Sequence, residues 1–158
     1  MPQVDLLVSP FGAQPRDLVS IAQRAENLGF GAVWTYDHMT GNMFGRGNSH
    51  DAFTLLGALA ASTSRTQLGP LVANVMNRHP VQLALAARTL QQLSGGRALI
   101  GLGSGAAPGS KFAREHEALG THLAAAPDRR AMLIEAIELV RSLWALSLIH
   151  ISEPTRPY

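Results

Sequence analysis

Strand-like and helix-like segments alternate along this chain, and that alternation limits the fold more than any other feature. Apolar runs suited to strands begin near residues 4, 32, 67 and 97, and each is followed by apolar residues at helical spacing. Four such βα units predict an α/β fold with a parallel sheet and right-handed crossovers. Two architectures fit: an open doubly wound sheet, or the amino-terminal half of a TIM (β/α)₈ barrel, which takes about 250 residues.

The expected strands cover residues 4–8, 32–38, 67–74 and 98–102. Pro15 suits the first position of a helix whose apolar residues are expected to face the sheet: Leu18, Ile21, Ala22, Ala25 and Leu28. Asp51 and Asp128 are expected to cap later helices, and His79 with Pro80 starts another.

Two segments between these elements lack periodicity. Residues 39–49 form a connection long enough to predict a lid or binding segment, unless it is disordered. Residues 104–127 read as an excursion with one helical turn near 112–119, and the histidines at 116 and 122 have no evident role there.

The second expected strand, Ala32–His38, ends abruptly in an acid and an imidazole. It is expected to bury Val33, Trp34 and Tyr36 and to bring Asp37 and His38 to its carboxyl end, where parallel α/β proteins carry their chemistry. Because imidazole titrates near neutrality, His38 is the candidate acid–base residue.

Composition argues against several other classes of protein. The 13 Lys and Arg residues against 11 Asp and Glu give a net charge of +2 without a basic cluster, so nucleic-acid binding is not expected. The adjacent Arg129 and Arg130 are interpreted as a solvated helix face. No apolar run is long enough for a membrane span, no signal peptide is evident, and no His-Glu-x-x-His spacing suggests a metal. The absence of cysteine suits a cytoplasmic protein.

The turn at residues 101–106 can be written G-x-G-x-x-A, a dinucleotide-binding fingerprint. That interpretation is disfavoured, because the motif should follow the first strand and open a helix directly. Here it follows the fourth expected strand, and Pro108-Gly109 intervenes before any helix.

Five segments in register resemble the amino-terminal half of the bacterial luciferase-like superfamily of flavin- and deazaflavin-dependent oxidoreductases. They are WTYDH at 34–38, TLLGALAASTS at 54–64, LG at 68–69, RHP at 78–80 and LSGGRALIGLGSG at 93–105. The resemblance covers residues 3–145 and implies the half-barrel rather than the open sheet.

The resemblance also implies a catalytic residue. Members that use the deazaflavin coenzyme F420 commonly carry Asp-His at the end of the second strand, which Asp37 and His38 match, with the histidine beside the carbon that accepts hydride. Asp37 would then support or bind the cofactor. One branch, the F420-dependent sugar-phosphate dehydrogenases, places a glutamate where this sequence has Ala106, so the chain departs from that branch.

Further cofactor contacts are implied at the next two strand ends. The bond Leu71-Val72 corresponds to a non-prolyl cis peptide behind the cofactor ring, and Asn74 to a polar position that hydrogen-bonds the cofactor. Gly103, Ser104 and Gly105 correspond to a turn that lets the backbone approach it. No metal ligand is implied.

The implied function is hydride transfer between coenzyme F420 and a small organic substrate, by a protein that is a homodimer at full length. The alternatives are an FMN-dependent monooxygenase and a non-catalytic or inactive fragment. Residues 1–145 are expected to be a truncated barrel domain. Residues 146–158 resemble a translated sequencing adapter and are expected to be a non-native tail.

Overall fold

The fold is described from a computed structural model, which covers residues 3–145. The predicted tail at 146–158 lies outside the described residues. The strands are β1 Leu6–Val8, β2 Ala32–Thr35, β3 Gln67–Pro70, β4 Ala73–Asn74 and β5 Leu102–Gly103. The helices are α1 Pro15–Asn27, α2 Ala52–Ser62, α3 Pro80–Leu93, α4 Arg114–Ala118 and α5 Ala126–Ala145, with a short 3₁₀ turn at Asn42–Phe44.

The strands are parallel and follow one another in the sheet in chain order. β1 pairs with β2 and β2 with β3, while β4 pairs with β5. A parallel bridge between Leu68 and Ala98 places the fourth strand segment beside β3 as well. An open doubly wound sheet reverses its strand order at a switch point, whereas barrel strands follow chain order. The observed order therefore matches the first four strands of a barrel.

The third and fourth strands are more broken than the sequence predicts. The expected strand 67–74 is interrupted between β3 and β4, where the peptide bond Leu71-Val72 is cis, as the resemblance implied. The expected strand 98–102 pairs with β3 only through the bridge at Ala98, and regular pairing resumes at Leu102. Gly69 lies so close to the Leu99 carbonyl that a side chain there would have no room.

The sequence prediction placed too many apolar residues of α1 in the core. Leu18, Ala22 and Ala25 are buried, but Ile21 is 43% exposed and Leu28 is 69% exposed. The buried positions follow the i, i+4, i+7 pattern of one narrow stripe, and Ile21 and Leu28 fall beside it. This stripe packs into the core that α1, α2 and Leu90 of α3 form against β1, β2 and β3, with Val19 of α1 partly buried at its edge.

The last helix, α5, also differs from its prediction. It begins at Ala126, so Asp128 lies in its first turn rather than at the cap. Arg129 is only 7% exposed and donates to the Ala124 carbonyl at 2.8 Å, so the expectation of a solvated Arg129 was wrong. Ala136 and Val140 of α5 join a second core with β4 and α3.

The remaining helix starts agree with the sequence. The Asp51 carboxylate accepts a hydrogen bond from the Thr54 N–H at 2.8 Å and caps α2. His79 precedes α3 and accepts from the Val81 N–H. The short helix α4 lies within the turn expected near 112–119, and it is the element that completes the site.

Candidate active site

The carboxyl ends of β2, β3, β4 and β5 surround an open cleft of about 490 Å³. Its lining includes every site residue expected from the sequence: Asp37, His38, Leu71, Val72, Asn74, Gly103, Ser104 and Gly105. The lining also includes side chains that the sequence did not single out, namely Phe44, Phe112 and Glu115. The structure thus gathers eight predicted positions from three regions of the chain, and their roles remain predictions.

A larger cleft, of about 630 Å³, lies between α3, α5 and residues 98–100. Among residues 3–145, Arg88 is the only ionisable side chain in its lining. The smaller cleft holds an imidazole and two carboxylates, so it is the better candidate for chemistry.

His38 is held by a glutamate from a distant helix. Its Nδ1 lies 2.7 Å from Glu115 Oε1, and the other carboxylate oxygen accepts from the Met39 N–H at 2.8 Å. The Glu115 side chain is 1% exposed, whereas that of His38 is 23% exposed. The imidazole therefore has one edge fixed inside the protein while its ring borders the cleft.

Asp37 is engaged by partners within the chain. Its oxygens accept two hydrogen bonds from the Arg78 guanidinium, both at 2.7 Å, and a third from the Asn74 N–H at 2.9 Å. Burial lowers the pKa of Arg78, but the hydrogen bonds and charge of Asp37, with the charge of Asp51, outweigh burial and raise that pKa. Asp37 therefore joins the end of β2 to β4 and to the loop beyond it, as a side chain 4% exposed.

The Met76 N–H sets the orientation of the Asn74 amide, and His116 lies beside it. Asn77 donates through Nδ2 to the Asp37 carbonyl, so its Oδ1 must accept from His116 Nε2 at 2.9 Å. Asn74 Oδ1 accepts from the Met76 N–H at 2.9 Å, which leaves the Asn74 amide N–H groups beside a ring nitrogen that is already a donor. The Asn74 Nδ2 donor is therefore available to a group in the cleft.

The glycine turn is shaped first by packing within the chain. A Cβ on Gly103 would lie 2.5 Å from Val72 Cγ2, and a Cβ on Gly105 would lie 2.9 Å from Asn74 Oδ1. Gly105 also has φ +79°, a conformation that side chains disfavour. The glycines let the turn press against Val72 and Asn74, and so they help to form the floor of the cleft.

This floor fits a flat, ring-shaped cofactor. Leu71 and Val72 are apolar yet 45% and 41% exposed, and both line the cleft. Apolar surface of this kind suits the face of an aromatic ring, while the Asn74 amide and the backbone at Ser104 offer polar contacts at its edge.

Aromatic side chains form the opposite wall, around His38. Phe112 stacks on the His38 ring at 5.9 Å between centroids, and Phe44 lies 5.9 Å from Phe112 and 6.5 Å from Tyr36. Val33 is fully buried, as the sequence predicts, but Trp34 and Tyr36 are only partly buried, and Thr35 is fully buried instead. Phe44 belongs to the long connection 39–49, so this segment lines the cleft, and its role as a lid or binding segment stays a prediction.

Sequence reasoning missed Glu115, His116 and Arg78. Both Glu115 and His116 lie in the poorly patterned excursion, and only their place on a helical turn, α4, could have shown that one face points inward. Arg78 directly precedes the recognised His-Pro pair, and its ion pair with Asp37 depends on contacts 41 residues apart in sequence.

Within residues 3–145, no group of three or more His, Cys, Asp or Glu side chains is placed to hold a metal ion. No helix in the same range is long and apolar enough to cross a membrane.

The model of the luciferase-like monooxygenase family matches residues 3–153, nearly the whole chain. The chain therefore belongs to the luciferase-like monooxygenase family. Its parallel α/β fold and its strand order agree with the barrels of that family.

Among curated relatives, an F420-dependent glucose-6-phosphate dehydrogenase of Amycolatopsis mediterranei (strain U-32) is 37% identical over 131 residues, which is 82% of this chain and 38% of the relative. An F420-dependent hydroxymycolic acid dehydrogenase of Mycobacterium tuberculosis (strain ATCC 25618 / H37Rv) is 35% identical, over 81% of this chain and 34% of the relative.

The solved structures give the same picture. The structure of an F420-dependent secondary alcohol dehydrogenase in complex with an F420-acetone adduct matches with a TM-score of 0.76 and 26% identity, over 99% of this chain and 43% of the other. The chain thus spans well under half the length of the relatives and structures that it matches.

Proposed function

We propose that residues 1–145 belong to an oxidoreductase that transfers hydride between coenzyme F420 and a small organic substrate, with His38 as the acid–base residue. The observation that carries the proposal is the cleft itself. It combines an imidazole that has no hydrogen-bond partner on Nε2 within residues 3–145, an exposed apolar floor and a glycine turn. Relatives named as F420-dependent dehydrogenases support the choice of cofactor.

The deazaflavin ring would lie on Leu71 and Val72, with the Asn74 amide donating to its edge and the turn at Gly103, Ser104 and Gly105 close to it. When bound, the oxidised cofactor supplies a carbon that accepts hydride. Asp37 supports this site indirectly, because its hydrogen bond from the Asn74 N–H holds the residue that contacts the cofactor.

In this reaction, a side chain of the protein transfers the proton. As hydride leaves the carbon of an alcohol substrate, the hydroxyl proton passes to Nε2 of His38, and a carbonyl product remains. In the reverse direction, the protonated imidazole returns that proton to the carbonyl oxygen. The aromatic side chains of Tyr36, Phe44 and Phe112 border the His38 ring and reduce its contact with solvent.

An FMN-dependent monooxygenase is the alternative within the family, and a non-catalytic fragment is the alternative outside enzymes. The two cofactors differ chemically, because a flavin can form a hydroperoxide with oxygen and a deazaflavin cannot. Oxygen consumption with reduced FMN would therefore favour the first alternative, and the absence of any cofactor binding would favour the second.

We also propose that the barrel continues beyond residue 145 in a cytoplasmic protein that is a homodimer, and that residues 146–158 are not native. The family match extends to residue 153, so the proposed junction needs a direct test. Resequencing the gene from independent DNA should give different codons after codon 145. The same codons for 146–158 in that DNA would contradict the proposal.

The function is tested by replacing His38 with asparagine in the complete protein. Turnover of F420 with secondary alcohols, followed by the cofactor's visible absorbance, should fall by about 10²- to 10⁴-fold, the usual contribution of a general acid–base. F420 binding should change little. Turnover within threefold of the wild type would show that His38 does not carry the proton.

A further inference from the structure

The His38 ring is in direct contact with one carboxylate, which the family resemblance did not indicate. Glu115 comes from α4, 77 residues along the chain, and accepts from both the His38 ring and the Met39 backbone. Its side chain is almost fully buried, at 1% exposure. A buried carboxylate with two donors on its two oxygens is a fixed acceptor, because neither oxygen can turn away without losing a hydrogen bond.

We propose that Glu115 is the positioning residue of His38, holding the imidazole in the tautomer that carries its proton on Nδ1. This inference rests on the proposed function for its catalytic meaning, although the tautomer itself does not depend on any cofactor. A carboxylate has no proton to offer, so Nδ1 must be the donor and Nε2 keeps its lone pair. Nε2 can then accept the hydroxyl proton of an alcohol.

The Glu115 carboxylate also stabilises the positive charge that the His38 ring gains during the reaction. When Nε2 takes the proton, the ring becomes an imidazolium, and the Glu115 anion 2.7 Å from Nδ1 stabilises that cation. The proton count is complete: one proton moves from the substrate oxygen to Nε2, and the proton on Nδ1 stays where it is.

Asp37, the neighbouring acid, is not arranged for this role. Its two oxygens are engaged by Arg78 and by the Asn74 N–H. Other polar side chains around the ring make no hydrogen bond to it: Tyr36, His50, Asp51, Arg78 and Lys111.

A purely structural role for Glu115, in which it only ties α4 to the loop after β2, makes a different prediction. Such a role would leave the His38 tautomer unchanged when the carboxylate is replaced, once the protein has folded. The tautomer therefore separates the two roles.

The test is nitrogen NMR of the histidine rings in the 158-residue chain without any cofactor, because ring nitrogens with and without a proton have distinct shifts. The wild type should show His38 as the Nδ1–H tautomer at a pH where the ring is neutral. In Glu115→Gln, one of the two oxygens that now accept from Nδ1–H and the Met39 N–H is replaced by an NH2 donor, so a mixture of tautomers should appear. Glu117→Gln, on the same short helix but exposed, should match the wild type.

An Nε2–H tautomer in the wild type would overturn the inference even if the glutamine variant fails to fold. An unchanged Nδ1–H tautomer in a folded Glu115→Gln protein would also overturn it. In the complete protein, Glu115→Gln should lower kcat about tenfold or more while KM for the alcohol changes less than threefold. A tautomer that shifts as expected without any F420 turnover in the wild type would refute the proposed function alone.

Discussion

Replacing Arg78 by methionine would leave the carboxylate of Asp37 buried without its cation. Asp37 is 4% exposed at its side chain and Arg78 is 15% exposed, and the pair is bidentate with both distances at 2.7 Å. Breaking a buried pair from one side costs about 3–5 kcal/mol. Since the Asn74 N–H still serves one oxygen and the Arg78 side chain is not fully buried, we expect about 3 kcal/mol.

The assay is urea unfolding of the 158-residue chain, followed by tryptophan fluorescence and circular dichroism. The double variant Asp37→Asn with Arg78→Met should lose about 1–2 kcal/mol less than the sum of the two single variants, because no charge is then left unpaired. Arg16→Met, at an exposed position of α1, is the matched control and should stay within about 0.5 kcal/mol of wild type. A loss below about 1 kcal/mol in Arg78→Met would refute the reasoning.

Two further substitutions test one contact at the amino end of β3 and one contact in the glycine turn of the cleft. Burial raises the pKa of Glu26, but hydrogen bonds from the backbone N–H groups of Thr66, Arg65 and Ser64 outweigh burial and lower it from 4.5 to about 2. The Glu26 carboxylate therefore stabilises the fold above pH 4.5 and loses that contribution as the pH falls towards 2. The wild type should be more stable than Glu26→Gln above pH 4.5, and unfolding measured at decreasing pH should show this difference disappearing by about pH 2. A difference in stability that stays constant over this range would contradict the prediction. Gly105→Ala should lower the free energy of unfolding, measured by thermal denaturation, by about 1–3 kcal/mol, because Gly105 combines a positive φ with a close approach to Asn74. Gly109 is the control position: it has a similar φ of +74° but open space around it, so Gly109→Ala should lower the free energy of unfolding by less. Equal losses would show that the contact at Asn74 does not matter.

The site positions that sequence reasoning found are those at the ends of strands. His38, Asn74 and Gly105 follow short apolar runs, and a parallel sheet brings such ends to one edge whatever lies between them. The four βα units predicted a parallel sheet with right-handed crossovers, but they left its strand order open between an open sheet and a half-barrel. The resemblance supplied the roles expected of Asn74 and the glycine turn, the choice of the barrel over the open sheet, and the location of the cis bond at Leu71-Val72.

The residues that were missed are held by contacts distant in sequence. Glu115 and His116 lie on a five-residue helix, too short for periodicity to reveal an inward face, and both are nonetheless buried. Arg129 shows the same limit. Its guanidinium donates to the Ala124 carbonyl and is buried, and nothing in the sequence pattern distinguishes it from its neighbour Arg130. The exposure of Ile21 has a related cause, because the width of the buried stripe on α1 depends on the elements that cover it.

The central claim is that the cleft beside His38 binds a deazaflavin in preference to a flavin, and the affinities of the protein for F420 and for FMN test this most directly. Titration of F420 and of FMN into the protein, followed by cofactor fluorescence, should show F420 binding at least about tenfold more tightly, a difference of roughly 1.4 kcal/mol. Gly105→Ala should weaken F420 binding and Gly109→Ala should not. Equal or tighter binding of FMN, or no saturable binding of F420, would contradict the account.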